Sequence, residues 1–181
     1  LTNNGTIAVT GSGSTAVYNY NYWGDDPAPS IATITNNGTI SSDDFGIYNE
    51  GTIGIITNTN TGVITASWIG GNILSAAIGN EGVINTIDNY GDITGDGTYG
   101  IINYTGATTH EIINRLGATV SGSYAAIENY DFDSVIDSIS NSGTIISNDG
   151  NAILNYGTLT TLTNNSSGLI IGSDGAWGVV N

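Results

Sequence analysis

A short phrase of the form aliphatic-x-Asn-x-Gly-x-aliphatic recurs along the whole chain and constrains its fold more than any other feature. Its copies, some looser than others, lie at residues 1–7, 34–40, 56–64, 87–93, 113–120, 139–145 and 162–170. A second phrase, small-aliphatic-x-Asn, lies between these copies, for example at residues 46–49, 77–80 and 152–155. Repeats of this length indicate a solenoid, in which each copy stacks on the next one.

The asparagine of each phrase marks the register of the repeat. The first phrase contributes Asn3, Asn36, Asn58, Asn89, Asn114, Asn141 and Asn164, and the second contributes Asn19, Asn49, Asn80, Asn103, Asn129, Asn155 and Asn181. In the first series the spacing ranges from 22 residues (36 to 58) to 33 residues (3 to 36). A period of this size suits one coil of a parallel β-helix, in which short strands are separated by turns.

Ile, Val, Thr and Tyr fill the intervals between Gly and Asn residues that would interrupt any helix. We therefore predict an all-β fold, a parallel β-helix of about seven irregular coils, and we expect it to be right-handed because parallel crossovers almost always are. It would form one continuous unit over residues 1–181, as a segment or subunit of a longer assembly. Coils stacked at about 4.8 Å would make a rod about 34 Å long.

Side-chain alternation along a strand separates an inner face of each phrase from an outer one. In residues 34–40 it turns Ile34, Asn36 and Ile40 inward, and it turns Thr35 and Thr39 toward solvent. An inward asparagine can form hydrogen bonds with its equivalents in the coils above and below. We therefore interpret the repeat asparagines as ladder and corner groups rather than as ligand-binding groups.

The charge of the chain excludes several classes of partner. There are 16 acidic residues and one basic residue, Arg115, and the formal net charge is -15. Nucleic acids and anionic membrane surfaces are bound through clustered Lys and Arg, so neither is an expected partner. Cysteine is absent, which rules out disulfides and thiolate metal sites. No apolar run approaches the length of a membrane span, so we predict no direct membrane insertion of this segment.

The Asn-x-Gly-Thr-Ile phrases, alternating with Gly-Ile-x-Asn-x-Gly, resemble the β-helical passenger regions of bacterial autotransporters and related large surface adhesins. The resemblance covers essentially the whole chain. It implies an extracellular or bacterial cell-surface location and a β-helical fold. It leaves the activity open, because passengers of this family include adhesins, aggregation factors, stalks that carry another domain, and some enzymes.

Candidate catalytic groups are sparse. The one histidine, His110, is interpreted as an exposed loop residue before a strand. Aspartates cluster along the sequence at residues 43–44, 88–96 and 131–137, and a polysaccharide-acting β-helix enzyme would use such a cluster. Asp131 and Asp133 would lie on one side of a strand and are the candidate ligands for calcium. Lyase chemistry also needs a basic residue beside the metal, so we predict no catalytic residues, no metal and no cofactor.

The residues that depart from the repeat are the candidate contacts. Two inserts carry aromatic side chains, and we predict contact loops at Tyr20, Tyr22, Trp23 and Trp68. Further tyrosines beside the repeat asparagines would form an exposed column along the rod, either covering a strand face or binding a glycan or protein. They are Tyr48, Tyr90, Tyr104, Tyr130 and Tyr156.

The repeat phrases run to both ends of the sequence, where a solenoid needs either a cap or a continuation. We therefore expect adjoining repeats of a longer chain, or copies of the same chain, to continue the stack. The predicted function is a non-catalytic structural or adhesive module of a bacterial surface or an extracellular fibre, which stacks end to end into a filament. Its other expected partners are glycans or proteins on host or neighbouring cells. The alternative is a polysaccharide-acting lyase or hydrolase with an aspartate cluster.

Overall fold

The computed structural model describes residues 1–21, 27–68, 74–173 and 175–181. Every regular element in this part of the chain is a β-strand, and the strands form three sheets of seven parallel strands each. The predicted contact residues Tyr22 and Trp23 lie outside the described residues.

Successive strands belong to the first, second and third sheet in turn, so that each sheet receives every third strand. The first sheet contains β1 (Thr2–Asn3), β4 (Ser30–Asn36), β7 (Thr52–Asn58), β10 (Val83–Asn89), β13 (Thr108–Asn114), β16 (Val135–Asn141) and β19 (Thr158–Asn164). The second contains β2 (Thr6–Val9), β5 (Thr39–Ser42), β8 (Val63–Ser67), β11 (Asp92–Asp96), β14 (Thr119–Gly122), β17 (Thr144–Ser147) and β20 (Leu169–Ile171). The third contains β3 (Thr15–Asn19), β6 (Phe45–Asn49), β9 (Ala76–Asn80), β12 (Tyr99–Asn103), β15 (Ala125–Asn129), β18 (Asn151–Asn155) and β21 (Val179–Val180).

One strand from each sheet makes one layer, so β1 to β3 form layer 1 and β19 to β21 form layer 7. Every strand pairs in parallel with the equivalent strand of the next layer, and equivalent asparagines face each other, as in Asn58 and Asn89. This arrangement confirms the predicted all-β parallel β-helix. Strand pairing does not define the hand of the winding, and the right-handed sense stays a prediction.

Columns of aliphatic side chains fill the interior. On the first sheet, Ile34 lies in register with Ile56 in the next layer, and the column continues through Ile87. The second sheet adds a column that includes Ile40 and the third adds one that includes Ile47, and all of these isoleucines are fully buried. Each aliphatic side chain packs on its own equivalent, so a single repeated sequence position produces a whole buried column.

The outer face is less exposed than the sequence predicts. Thr35 and Thr39 are half-buried rather than solvent-exposed, because each pairs with an equivalent residue in the neighbouring layers. Side chains stacked about 4.8 Å apart shield one another from water on both sides. The prediction of inward Ile34, Asn36 and Ile40 agrees with their complete burial.

Candidate functional site

The repeat asparagines of the first phrase form a continuous ladder at the corner between the first and second sheets. The Nδ2 of each side chain donates to the Oδ1 of its equivalent in the next layer, at 2.8 to 2.9 Å. We call this column the first ladder; it comprises Asn3, Asn36, Asn58, Asn89, Asn114, Asn141 and Asn164. Each of these residues is also the last residue of its strand, so the ladder lies where the chain turns.

The asparagines of the second phrase form a second ladder where the third sheet leads into the next layer. The Nδ2 to Oδ1 distances range from 2.6 to 3.0 Å. We call this column the second ladder; it comprises Asn19, Asn49, Asn80, Asn103, Asn129, Asn155 and Asn181. In layer 5 the buried hydroxyl of Thr109 donates to Asn103 Oδ1 at 2.9 Å, which adds a side chain of the first sheet to this network.

Most ladder amides also close the turn that follows them, as Asn49, Asn58 and Asn89 do. Asn89 Nδ2 lies 3.0 Å from the carbonyl oxygen of Gly91, and Asn89 Oδ1 accepts a hydrogen bond from the Gly91 N–H at 3.2 Å. A backbone carbonyl only accepts and a backbone N–H only donates, so these contacts fix which way the amide points. The ladder asparagines of layers 1 to 6 are therefore buried and hydrogen-bonded, which is a structural role.

The fixed orientation gives both ladders a direction. At one face of the described stack, layer 1 presents the Oδ1 acceptors of Asn3 and Asn19. At the opposite face, layer 7 presents the Nδ2 donors of Asn164 and Asn181. The two faces of the stack are thus chemically different and complementary to each other.

A groove of about 610 Å³ lies on the outer face of the third sheet. Five aromatic side chains line it and touch one another in sequence across the layers: Tyr18, Phe45, Tyr48, Tyr104 and Tyr130. We call it the aromatic groove. Its neighbouring ring centroids are 4.4 to 6.2 Å apart, the range in which aromatic pairs attract.

A glycine permits the rings to lie over the sheet. A Cβ at Gly79 would lie 2.8 Å from Tyr48 Cδ2 and 3.0 Å from Phe45 Cδ1. Tyr48 pairs with Gly79 in the next layer, so its ring leans into the space that a side chain would otherwise take. Beyond it, Ala76, Ile102 and the ring of Tyr104 form a small buried cluster on the outer face of the sheet.

Carboxylates accompany the rings. The hydroxyl of Tyr18 donates to Glu50 of the next layer, and Tyr48 is hydrogen-bonded to Glu81 of the layer after that. Burial, together with these carboxylates, raises the pKa of both tyrosines above its ordinary value, so both hydroxyls stay protonated. Asp44 also lines the groove, and the Gly13 N–H donates to its Oδ2 at 2.7 Å.

One acidic side chain on the third sheet is almost completely buried. Glu128, in β15, is 3% exposed, and its Oε2 has no hydrogen-bond partner among the described residues. Burial raises the pKa of this carboxyl to about 7, although a hydrogen bond with Tyr99 acts in the opposite direction. Glu128 is therefore a group that exchanges a proton near neutral pH.

The predicted calcium pair does not lie on a strand. Asp131 and Asp133 belong to the turn between β15 and β16, which corrects the strand placement made from the sequence. Asp131 accepts a hydrogen bond from Thr105 at 3.1 Å, and Asp133 accepts one from the Gly106 N–H at 2.9 Å. Both carboxylates join their turn to the equivalent turn of the previous layer, which is a structural role.

The remaining polar candidates are separated from one another. His110 lies within β13 rather than in a loop, and its Nδ1 pairs with Asp137 at 2.6 Å on an exposed surface. Arg115 pairs with Asp88 through two contacts of 2.7 and 3.1 Å. Within the described ranges, no three His, Asp or Glu side chains come close enough to hold a metal ion.

The aromatic residues predicted as contacts differ in how far they are exposed to solvent. Tyr20 is exposed and contacts Tyr18, with ring centroids 4.9 Å apart. Tyr104 is buried rather than exposed, because it packs on the outer face of the third sheet. Trp68 is half-buried at the end of β8, and its Nε1 is buried without a hydrogen-bond partner among the described residues.

Two of the predicted column tyrosines lie apart from the aromatic groove. Tyr90 packs against Arg115, whose Cζ is 5.3 Å from its ring centroid. Tyr156 is exposed in the turn that follows β18.

The sequence identifies Tyr48, Tyr104 and Tyr130 of the groove, and Asp44 belongs to one of its aspartate clusters. Phe45, Glu81 and Glu128 were not singled out, although Glu81 occupies the same place after its repeat asparagine as Glu50 does. The sequence signal for the groove is a tyrosine before one repeat asparagine together with a glutamate after the next one.

In the part of the chain that the structure describes, no helix has the length and apolar character to cross a membrane. No family model, curated protein or solved structure matches this chain. The resemblance to autotransporter passenger regions therefore stays a prediction, and the fold stands on the strand pairing alone.

Proposed function

We propose that this chain is a non-catalytic structural module, an elongated β-helix of a bacterial surface or an extracellular fibre. The observation that carries the proposal is that both amide ladders run from layer 1 to layer 7 without a break. Repeated hydrogen bonds along the axis, together with the buried aliphatic columns, favour a stiff rod. A surface carrying a net charge of -15 favours solubility.

The direction of the ladders supports head-to-tail joining of copies. The Oδ1 atoms of Asn3 and Asn19 would accept hydrogen bonds from the Nδ2 atoms of Asn164 and Asn181 in a second copy. Such an interface is heterologous, because it joins two different surfaces, and it generates an open filament when the rotation does not close a ring. Joining head to head would place acceptor against acceptor.

The apolar columns also reach the end faces. Leu159 and Leu162 in layer 7 are only partly buried, although their equivalents one layer earlier are buried. Ile7 in layer 1 is likewise partly exposed. A second copy would cover these side chains, and burying each one would contribute roughly 1 kcal/mol to association.

Gly5 provides a sharp test of this assembly. A Cβ at Gly38, its equivalent in layer 2, would collide with the carbonyl oxygen of Gly5, whereas a Cβ at Gly5 meets no atom within 4 Å. The substitution Gly5→Ala should therefore leave the single subunit folded, but it should collide with the last layer of a preceding copy. Ser12→Ala is the control, because Ser12 is an exposed turn residue of the same layer.

The measurement is sedimentation velocity over a range of protein concentrations, followed by negative-stain electron microscopy. We expect the unmodified chain and Ser12→Ala to form linear assemblies that lengthen with concentration, while Gly5→Ala stays a folded monomer. An unmodified chain that stays monomeric at high concentration would contradict end-to-end stacking. Assembly of Gly5→Ala to the same length would contradict the proposed interface.

A further inference from the structure

We propose that the aromatic groove is a binding site for an organic ammonium cation, such as the side chain of a partner's lysine or a free polyamine. The juxtaposition of Tyr48, Tyr104 and Tyr130 with the buried carboxylate of Asp44 carries the inference. It is independent of end-to-end stacking, because the groove lies on the side of the rod. It gives the module a contact surface of defined chemistry.

The rings supply the first part of the argument. Tyr48 and Tyr104 have centroids 6.2 Å apart and meet nearly edge to face, and Tyr130 lies 6.2 Å beyond Tyr104. An ammonium group within about 6 Å of a ring face is attracted by the ring's electrons, and several rings around one cation add their effects. Rings that stand at different angles around a cavity suit a cation better than a flat apolar ligand.

Asp44 supplies the second part. The residue is 4% exposed, and its Oδ1 is buried without a hydrogen-bond partner among the described residues. Its other oxygen, Oδ2, accepts from the Gly13 N–H at 2.7 Å. A buried carboxylate oxygen without a donor is unfavourable, and an N–H group that carries positive charge is the donor that compensates it most strongly.

The chain has no lysine, and its single arginine is engaged elsewhere. Arg115 is the single Lys or Arg residue, and it pairs with Asp88 and Tyr90. Glu81 adds a second carboxylate to the groove lining. The field of a chain with net charge -15 attracts cations and repels anions, so an acidic sugar or a nucleotide does not fit. A neutral glycan would stack on the rings but leave the charge of Asp44 uncompensated.

The groove is large enough for more than an ammonium head group. Its volume of about 610 Å³ falls within the roughly 300–1,000 Å³ typical of small-molecule sites. The aliphatic part of a lysine side chain or a polyamine would pack on the apolar edges of Phe45 and Leu74. The ammonium group would then approach Asp44 and the tyrosine rings.

The test is a calorimetric titration with four probes. N-acetyl-lysine methylamide represents a lysine in a protein, and spermidine represents a free polyamine. N-acetyl-norleucine methylamide has the same aliphatic chain without the charge, and maltotetraose represents a neutral glycan. We expect the lysine compound or spermidine to bind at least about tenfold more tightly than the norleucine compound, and the tighter of the two identifies the source of the cation.

Two groove variants and two controls complete the test. Asp44→Asn and Tyr130→Leu should each weaken the cation's affinity about tenfold. Asp149→Asn and Tyr156→Leu, both exposed and outside the groove, should leave it unchanged. Circular dichroism of each variant confirms folding, and Tyr130 is exposed enough that its replacement is tolerated. Equal affinity for the lysine and norleucine compounds, or preferential binding of maltotetraose, would overturn the proposal.

Discussion

Asn89 donates a hydrogen bond from its Nδ2 to Oδ1 of Asn114, its equivalent in the next layer, at 2.9 Å. At the same time its own Oδ1 accepts from Asn58 in the previous layer, also at 2.9 Å. Neither asparagine is exposed to solvent. Each ladder side chain thus links three layers, and its removal takes one hydrogen bond from the equivalent asparagine on either side.

Replacing a central ladder residue should be costly. In Asn89→Ala, Asn114 Oδ1 loses its donor and the buried Gly91 N–H loses its acceptor, whereas Asn58 Nδ2 keeps the carbonyl oxygens of Gly62 and Asp92. Since each unsatisfied buried group costs roughly 1–3 kcal/mol, we expect the free energy of unfolding to fall by about 3 kcal/mol. Urea denaturation of the monomer measures this value. The control is Asn60→Ala at an exposed turn, which should change it by less than about 0.5 kcal/mol; similar losses for both variants would contradict the ladder's role.

Alanine should be tolerated at Gly5 in layer 1 but should destabilise the protein at the equivalent Gly143 in layer 6. A Cβ at Gly143 would collide with the carbonyl oxygens of Ala118 and Arg115, and both belong to the backbone of the previous layer. Gly143→Ala should therefore destabilise the protein by about 3 kcal/mol or more. Gly5→Ala, where nothing lies within 4 Å, should change the thermal stability of the monomer by less than about 1 kcal/mol. Equal effects would show that layer stacking does not set the requirement for glycine.

Glu128 should make stability depend on pH between about pH 4.5 and 7. Its pKa is raised from 4.5 to about 7 in the folded protein, so the folded state holds this proton more tightly than the unfolded state. Stability from this group is present below pH 4.5 and is lost as pH rises to about 7, with an upper limit of about 3 kcal/mol.

The variant Glu128→Gln should flatten that part of the stability curve, because glutamine does not titrate. Denaturation at several pH values between 4 and 8 compares it with the unmodified chain and with Glu111→Gln on the first sheet. A Glu128→Gln curve parallel to that of the unmodified chain would show that Glu128 is not the titrating group.

Trypsin should cleave the folded chain very slowly. Arg115 offers the one Lys or Arg cleavage site in the sequence, in the turn between β13 and β14. Its backbone N–H donates to Asn89 at 2.9 Å, and its side chain is held by Asp88. Because cleavage requires this turn to open, we expect a rate roughly a hundredfold lower than in urea-unfolded chain, measured by mass spectrometry of the fragments. Rapid native cleavage would contradict a continuous β-helix through layer 5.

The repeat made the fold and the ladders readable from sequence, because identical residues stack on themselves. Asn36 predicts the environment of Asn58, since a parallel layer places each residue above its own equivalent. Two predictions about single, non-repeated residues were wrong. His110 lies on a strand rather than in a loop, and Asp131 lies in a turn rather than on a strand. Local sequence does not show where one strand ends when the layers differ in length.

The sequence by itself therefore determined the parallel β-solenoid, its aliphatic columns and the positions of its ladder asparagines. Only the tertiary structure decided which non-repeated side chains meet. Tyr48 precedes its repeat asparagine and Tyr104 follows another, yet their rings meet across the layers, and Gly79 leaves room for the ring of Tyr48. The burial of Glu128 and the unpaired oxygen of Asp44 likewise depend on contacts between distant layers. Vertical stacking repeats the sequence pattern, whereas lateral packing on the outer face depends on the size and tilt of individual side chains.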